Sequence, residues 1–98
     1  MEDNVVYVGS KPPMIYVMAI ISSLKYSEAV IVRARGRAIL TAVDAAEITR
    51  NRFLQGFTCE ASIGTEQLEG EDGSPRNVST IEINLRKSPE ALNPGGVS

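Results

Sequence analysis

Three arginines within five residues (Arg33, Arg35 and Arg37) and one lysine, Lys11, in a Gly-Ser-Lys-Pro turn are the side chains whose type and spacing point to chemistry. That chemistry is the recognition of phosphate, because arginine offers a planar fork that matches its oxygens and lysine a flexible point charge. Covalent catalysis has little to draw on. The sequence has no histidine, the commonest general base and zinc ligand, and its single cysteine, Cys59, cannot form an intrachain disulfide. Cys59 shares strand parity with Phe57, Ala61 and Ile63, which fits a buried apolar role better than a reactive one. Glu66, Glu69, Glu71 and Asp72 lack the spacing of a calcium loop. No metal, cofactor or enzymatic activity is therefore expected.

The elements that must position these cations can be read from periodicity. At 98 residues, with 43% apolar and 22% charged side chains, the chain has the size and composition of one compact domain. Val5 to Val8 form a β-branched and aromatic run that ends at Gly9, a first short strand. A helix follows from Pro12, with Met14, Val17, Met18, Ile21 and Leu24 as its apolar stripe. Residues 29–35 form a second strand that begins inside and emerges at its arginines, and Gly36 marks its exit. Ile39, Ala42, Val43, Ala46 and Phe53 predict a second helix over residues 37–54, with Gly56 at its stop. Alternation over 57–63 and again over 81–85 predicts two half-buried strands. The Gly-, Glu- and Ser-rich segment between them, with Asp72-Gly73 as its turn, should be a polar, mobile hairpin tip.

The order β-α-β-α-β-β calls for an α+β fold of two layers: two helices packed on a four-stranded mixed sheet, with a long protruding hairpin. One domain over residues 1–87 and a frayed tail over 88–98 are expected. The apolar run at residues 13–21 is nine residues long, short of the roughly 20 that span a bilayer. Glu2 and Asp3 stand before it, where a secretory signal would be basic, so an intracellular location is expected.

The formal charge of −2 conceals an asymmetry. Residues 1–55 carry seven basic side chains against five acidic, whereas residues 56–98 carry three against seven. A ligand feels the local field within about 8 to 10 Å at physiological salt, so a basic edge can coexist with an acidic arm. In a parallel β-α-β unit, Lys11 and Arg35 leave the sheet at the same carboxyl edge. Arg33 and Arg35 share a face, and Arg37 opens the next helix. The cations should thus gather along one border, beyond the reach of the carboxylates at 60–72. Tyr16, one turn into the first helix, suits two roles: stacking or hydrogen bonding at that rim, or a place at the edge of the core. Arg50 and Arg52 read as helix-end charges, with Glu47 able to pair with Arg50. A solvated rim with no ligand at all remains the plain alternative.

The stretches Asn4-Val5-Val6-Tyr7-Val8-Gly9, Lys11-Pro12, Ala34-Arg35-Gly36-Arg37-Ala38-Ile39, Ala42-Val43-Asp44, Glu47-Ile48, Arg50-Asn51-Arg52-Phe53 and Asn77-Val78-Ser79-Thr80-Ile81-Glu82-Ile83 closely resemble the Alba family of archaeal chromatin proteins. The match runs over residues 4–87 in seven ordered stretches, far more specific than one short motif. The resemblance implies a dimer of β-α-β-α-β-β subunits that binds double-stranded DNA, and often RNA, with little base specificity. It also implies a cytoplasmic protein associated with the chromosome. It carries nucleic-acid contact over to Lys11, Arg35 and Arg37, with Arg33 and Tyr16 as neighbouring candidates and Arg76 as the contact from the hairpin arm. Arg52 and Phe53 match a place used between neighbouring dimers on DNA. Lys11 is the candidate for reversible acetylation by acetylating and deacetylating enzymes, although Ser10 stands where many members have a second lysine. The acidic arm departs from this pattern, so binding should be weaker and more salt-sensitive, with RNA as an alternative main ligand. A structural oligomer with an incidental basic rim is the remaining alternative.

Overall fold

Two short β-branched strands that pair in parallel set the architecture. In the computed structural model, which describes residues 4–53 and 56–87, β1 (Val5–Tyr7) lies in register against β2 (Ala29–Arg35). Between them α1 (Pro13–Leu24) crosses over. α2 (Ala38–Ile48), a π-helical turn (Thr49–Phe53), β3 (Phe57–Glu69) and β4 (Pro75–Lys87) follow. The sheet order is β1-β2-β4-β3, with both β4 pairings antiparallel. This is the expected α+β arrangement of two helices and a mixed four-stranded sheet.

The core lies between the helices and one face of the sheet. Val30 and Val32 on β2, Ile83 and Leu85 on β4, Val17 and Ile20 on α1, and Ala42 and Ala45 on α2 pack there. Small alanines on α2 let that helix approach α1 closely enough to touch.

The sequence stripe on α1 is rotated from the observed one. Tyr16, Val17, Ile20 and Leu24 are buried, whereas Met14 and Met18 are exposed and Ile21 packs only partly against the core. The helix is apolar almost all round, so 3.6-residue periodicity allows two overlapping stripes. The observed one places β-branched and aromatic groups, which keep fewer rotamers, against the sheet and leaves the flexible methionines outside.

The second helix is also interrupted earlier than its periodicity suggests. α2 ends at Ile48, and the buried Thr49 hydroxyl donates to the Ala45 carbonyl at 2.7 Å as the chain widens into the π-turn. Gly56, at φ 76°, occupies the expected left-handed position.

The hairpin differs most from its expectation. Its segment beyond residue 63 is not an open polar loop, because β3 and β4 pair without a break from Phe57↔Lys87 to Glu69↔Pro75. Backbone pairing continues past the helices because each strand supplies the other's hydrogen bonds, whether or not a core lies beneath. The turn itself is tight: Gly70 N–H donates to the Ser74 carbonyl at 2.7 Å, and Gly73 has φ 86°. Asp72 accepts from both the hydroxyl and the N–H of Ser74, which holds its carboxyl below the usual range. The tail at 88–98, Leu54 and the side chain of Phe53 lie outside the described residues.

Replacing Ile20 with alanine should cost about 2 to 5 kcal/mol of folding stability in urea denaturation. Met18→Ala should cost about 0.5 kcal/mol or less, since Met18 is 59% exposed. Equal losses would contradict the observed rotation of α1.

Candidate nucleic-acid interface

Because β1 and β2 run in parallel, the turns that follow them leave the sheet at the same edge. The first turn carries Lys11. Its backbone is held by Tyr16, whose hydroxyl accepts the N–H of Gly9 at 2.9 Å and that of Lys11 at 3.1 Å. Tyr16 is only 8% exposed, so its ring has no free face for stacking. Both sequence-based roles are met in part: the ring lies at the edge of the core and is closed to stacking, while the hydroxyl hydrogen-bonds at the rim, where it positions the Lys11 turn.

The second turn carries Arg37. Gly36, at φ 59°, donates its N–H to the Ser79 carbonyl at 2.9 Å, and a Cβ here would also meet the Val78 side chain. This reversal separates Arg35, the last residue of β2, from Arg37, which caps the start of α2. The start of α1 offers few donors, because Pro12 and Pro13 lack N–H groups. Side chains must therefore make most anion contacts at this edge.

Arg33 and Arg35 alternate with the buried Val32 and Ala34, so both point to the sheet face opposite the helices. Neither is free of carboxylates, contrary to the expected separation. Arg33 Nε meets Glu82 Oε2 at 2.7 Å across the β2–β4 register, and Arg35 Nη1 meets Glu66 Oε1 at 3.0 Å. The Glu82 hydrogen bond and charge raise the Arg33 pKa above its ordinary value, with a smaller contribution from Tyr7. The reason for the difference is the continuous ladder: it carries Glu66 up beside the rim instead of leaving it in a loose tip.

Among the described residues, no carboxylate pairs with Lys11, Arg37 or Arg76, and all three are exposed. Arg76 lies on the arm opposite Leu68, four residues from Thr80, the partner of Arg35. It is therefore roughly 13 Å further out along the strand. Arg52 is exposed in the π-turn, about 20 Å from Arg37 along the helical path. The structure thus gathers Lys11, Arg33, Arg35 and Arg37 at one edge but not Arg52 or Phe53. Glu47 lies 4.0 Å from Arg50, as the helical spacing predicts. Sequence reasoning missed Glu66, Glu82 and Tyr7 as members of this neighbourhood. Only strand register, which places Tyr7, Arg33 and Glu82 side by side, could have found the last two.

No group of three or more metal-ligating side chains occurs among the described residues. No described helix is long and apolar enough to cross a membrane.

The fold and its rim define a class: small two-layer α+β proteins that present cations from successive β-α turns at one sheet edge. Residues 4–61 match the Alba family model, and the chain belongs to the Alba family. It is 49% identical over 88 residues to the DNA/RNA-binding protein Alba of Methanococcus maripaludis, covering 87% of this chain and 99% of that one. Identity is 47% over 88 residues to the protein of the same name in Methanocella arvoryzae, covering 88% and 92%. Alba from Thermoplasma volcanium superposes with a TM-score of 0.80 at 43% identity, covering 86% of this chain and all of that one. These relatives carry the names of binding proteins, not of enzymes.

Tyr16→Phe should remove the acceptor of two backbone N–H groups while preserving the packed ring. Amide exchange at Gly9 and Lys11 should then speed up by roughly two- to tenfold, measured by NMR, with little change elsewhere in α1.

Proposed function

We propose that this protein coats and compacts double-stranded DNA as a homodimer, in a sequence-tolerant manner, and also binds RNA. The observation that carries this reading is the placement of Lys11 and Arg37, both exposed and free of ion pairs among the described residues, at one sheet edge. Contacts of this kind neutralise phosphates and carry no base sequence. The relatives named DNA/RNA-binding protein Alba support the same ligand class.

Dimer formation is supported by apolar groups left uncovered on the helix side. Leu40 and Val43 on α2 are exposed, and Ile63, on the same side of β3 as the buried Ile81, is 83% exposed. Arg52 and Phe53, at the end of α2, are the proposed contact between neighbouring dimers. Acetylation of Lys11 would remove one of the two unpaired rim cations and weaken binding. In this reading the protein is cytoplasmic and associated with the chromosome.

The acidic arm favours a second reading, in which RNA is the main ligand. Glu60, Glu66, Glu69, Glu71 and Asp72 are all exposed along β3 and its turn, where they would repel a duplex lying against the arm.

A salt-titrated gel shift tests the mechanism. If a dimer neutralises about six phosphates, log K should fall against log salt with a slope of about −5 on duplex DNA. A slope near zero would refute it. Lys11→Ala or Arg37→Ala should weaken every sequence alike and flatten the slope by about 2, since each substitution removes one cation from each subunit of the dimer. Glu66→Gln should instead tighten binding by roughly two- to fivefold, because phosphate no longer competes with an exposed intramolecular carboxylate for Arg35.

A further inference from the structure

The face of the sheet opposite the helices carries a row of side chains in register across all four strands. Tyr7 on β1 lies beside Arg33 on β2, Arg33 beside Glu82 on β4, and Glu82 beside Ser62 on β3. Among the described residues no helix covers this face, and Tyr7 is 70% exposed. Next along the strands, Arg35, Thr80 and Gly64 form a second row. Gly64 supplies no side chain, and a Cβ there would come within 3.2 Å of the Thr80 hydroxyl. The two rows line a concavity of about 760 Å³.

We propose that this concavity binds an unpaired base of a single-stranded nucleic acid. The inference rests on the proposed nucleic-acid binding and adds a second ligand form at a second surface. Three features select a base. Tyr7 offers an exposed ring at the rim end of the sheet, and stacking on an aromatic ring is open only to a base that has left its own stack. Beside it, Glu82 holds the Arg33 guanidinium through Nε, fixing a second planar surface. The other Glu82 oxygen, Oε1, enters no hydrogen bond or ion pair among the described residues. It can accept the imino or amino N–H of a base edge, while the Ser62 and Thr80 hydroxyls can donate or accept.

Charge argues the same way. Arg33, Arg35, Glu66 and Glu82 cancel across the concavity, so the face does not attract phosphate as such. The unpaired cations lie next door. Lys11 is four residues beyond Tyr7, and Arg37 two beyond Arg35, at the same sheet edge. A strand can thus place its phosphates on the edge and turn one base onto the face. Duplex DNA can use the edge but not the face, because its bases are paired and stacked.

The test compares labelled single-stranded RNA, single-stranded DNA of equal length and duplex DNA by fluorescence anisotropy over a salt series. Tyr7→Ala should weaken single-strand binding roughly tenfold, leave the salt slope unchanged, and alter duplex affinity by less than about twofold. Tyr7→Phe should keep single-strand affinity, since the ring remains. With the wild-type protein, single strands should shift the amide resonances of Tyr7, Arg33, Ser62 and Glu82, and duplex DNA should not. A loss confined to RNA would support the face and assign the 2′-hydroxyl to it; a loss on both strands would support base stacking alone. Unchanged single-strand affinity in Tyr7→Ala, or an equal loss on duplex, would overturn the inference. Binding of duplex alone by the wild-type protein would overturn the inference and leave the function standing, whereas binding of no probe would remove both.

Discussion

The parallel pairing of β1 with β2 is the constraint on which the rest depends. Parallel strands need a crossover, and here α1 supplies it, so the chain leaves both strands at the same end of the sheet. Lys11 and Arg37 thereby leave the sheet at the same edge although 26 positions separate them in sequence. Had the same two strands been joined as an antiparallel hairpin, their exits would lie at opposite ends. The convergence of these cations is thus a property of topology before it is a property of any side chain.

Around that edge the molecule divides its labour between positioning and charge. Tyr16 spends its hydroxyl on two backbone amides, and Gly36 accepts a left-handed backbone so that two arginines can flank the turn. Pro12 and Pro13 remove the amide donors that a helix start would otherwise offer. The rim consequently depends on side-chain cations, and two of its four are already engaged by carboxylates. Ion pairs as exposed as these contribute little to folding, typically about 1 kcal/mol or less. Their larger effect falls on a competing anion, which has to displace Glu66 to reach Arg35.

Much of this was legible in the sequence, for reasons that can be located. Val5 to Tyr7 and Ala29 to Arg35 are β-branched runs bounded by turn signals, and Gly36 and Gly56 sit where only left-handed backbone fits. Element order followed, and with it the shared edge. What was hidden depended on relations between segments. The apolar surface of α1 extends too far round the helix for periodicity to choose between Met18 and Ile20. The Thr49 hydroxyl bond that accompanies the end of α2 is a local competition that no stripe reveals. The nearness of Glu66 to Arg35 and of Glu82 to Arg33 follows from register, which alternation alone does not specify beyond parity.

The position of β3 at the margin of the sheet gives its carboxylates a further consequence. One side of this 13-residue strand pairs with β4, and the other has no strand beside it among the described residues. So long a row of outward amides and carbonyls is a template onto which another chain can add, the first step toward fibrils. Glu60, Glu66 and Glu69 place like charges along that margin in every copy, so two such margins brought together repel one another. The same negative charge that works against a polyanionic ligand therefore also opposes the stacking of one such margin on another.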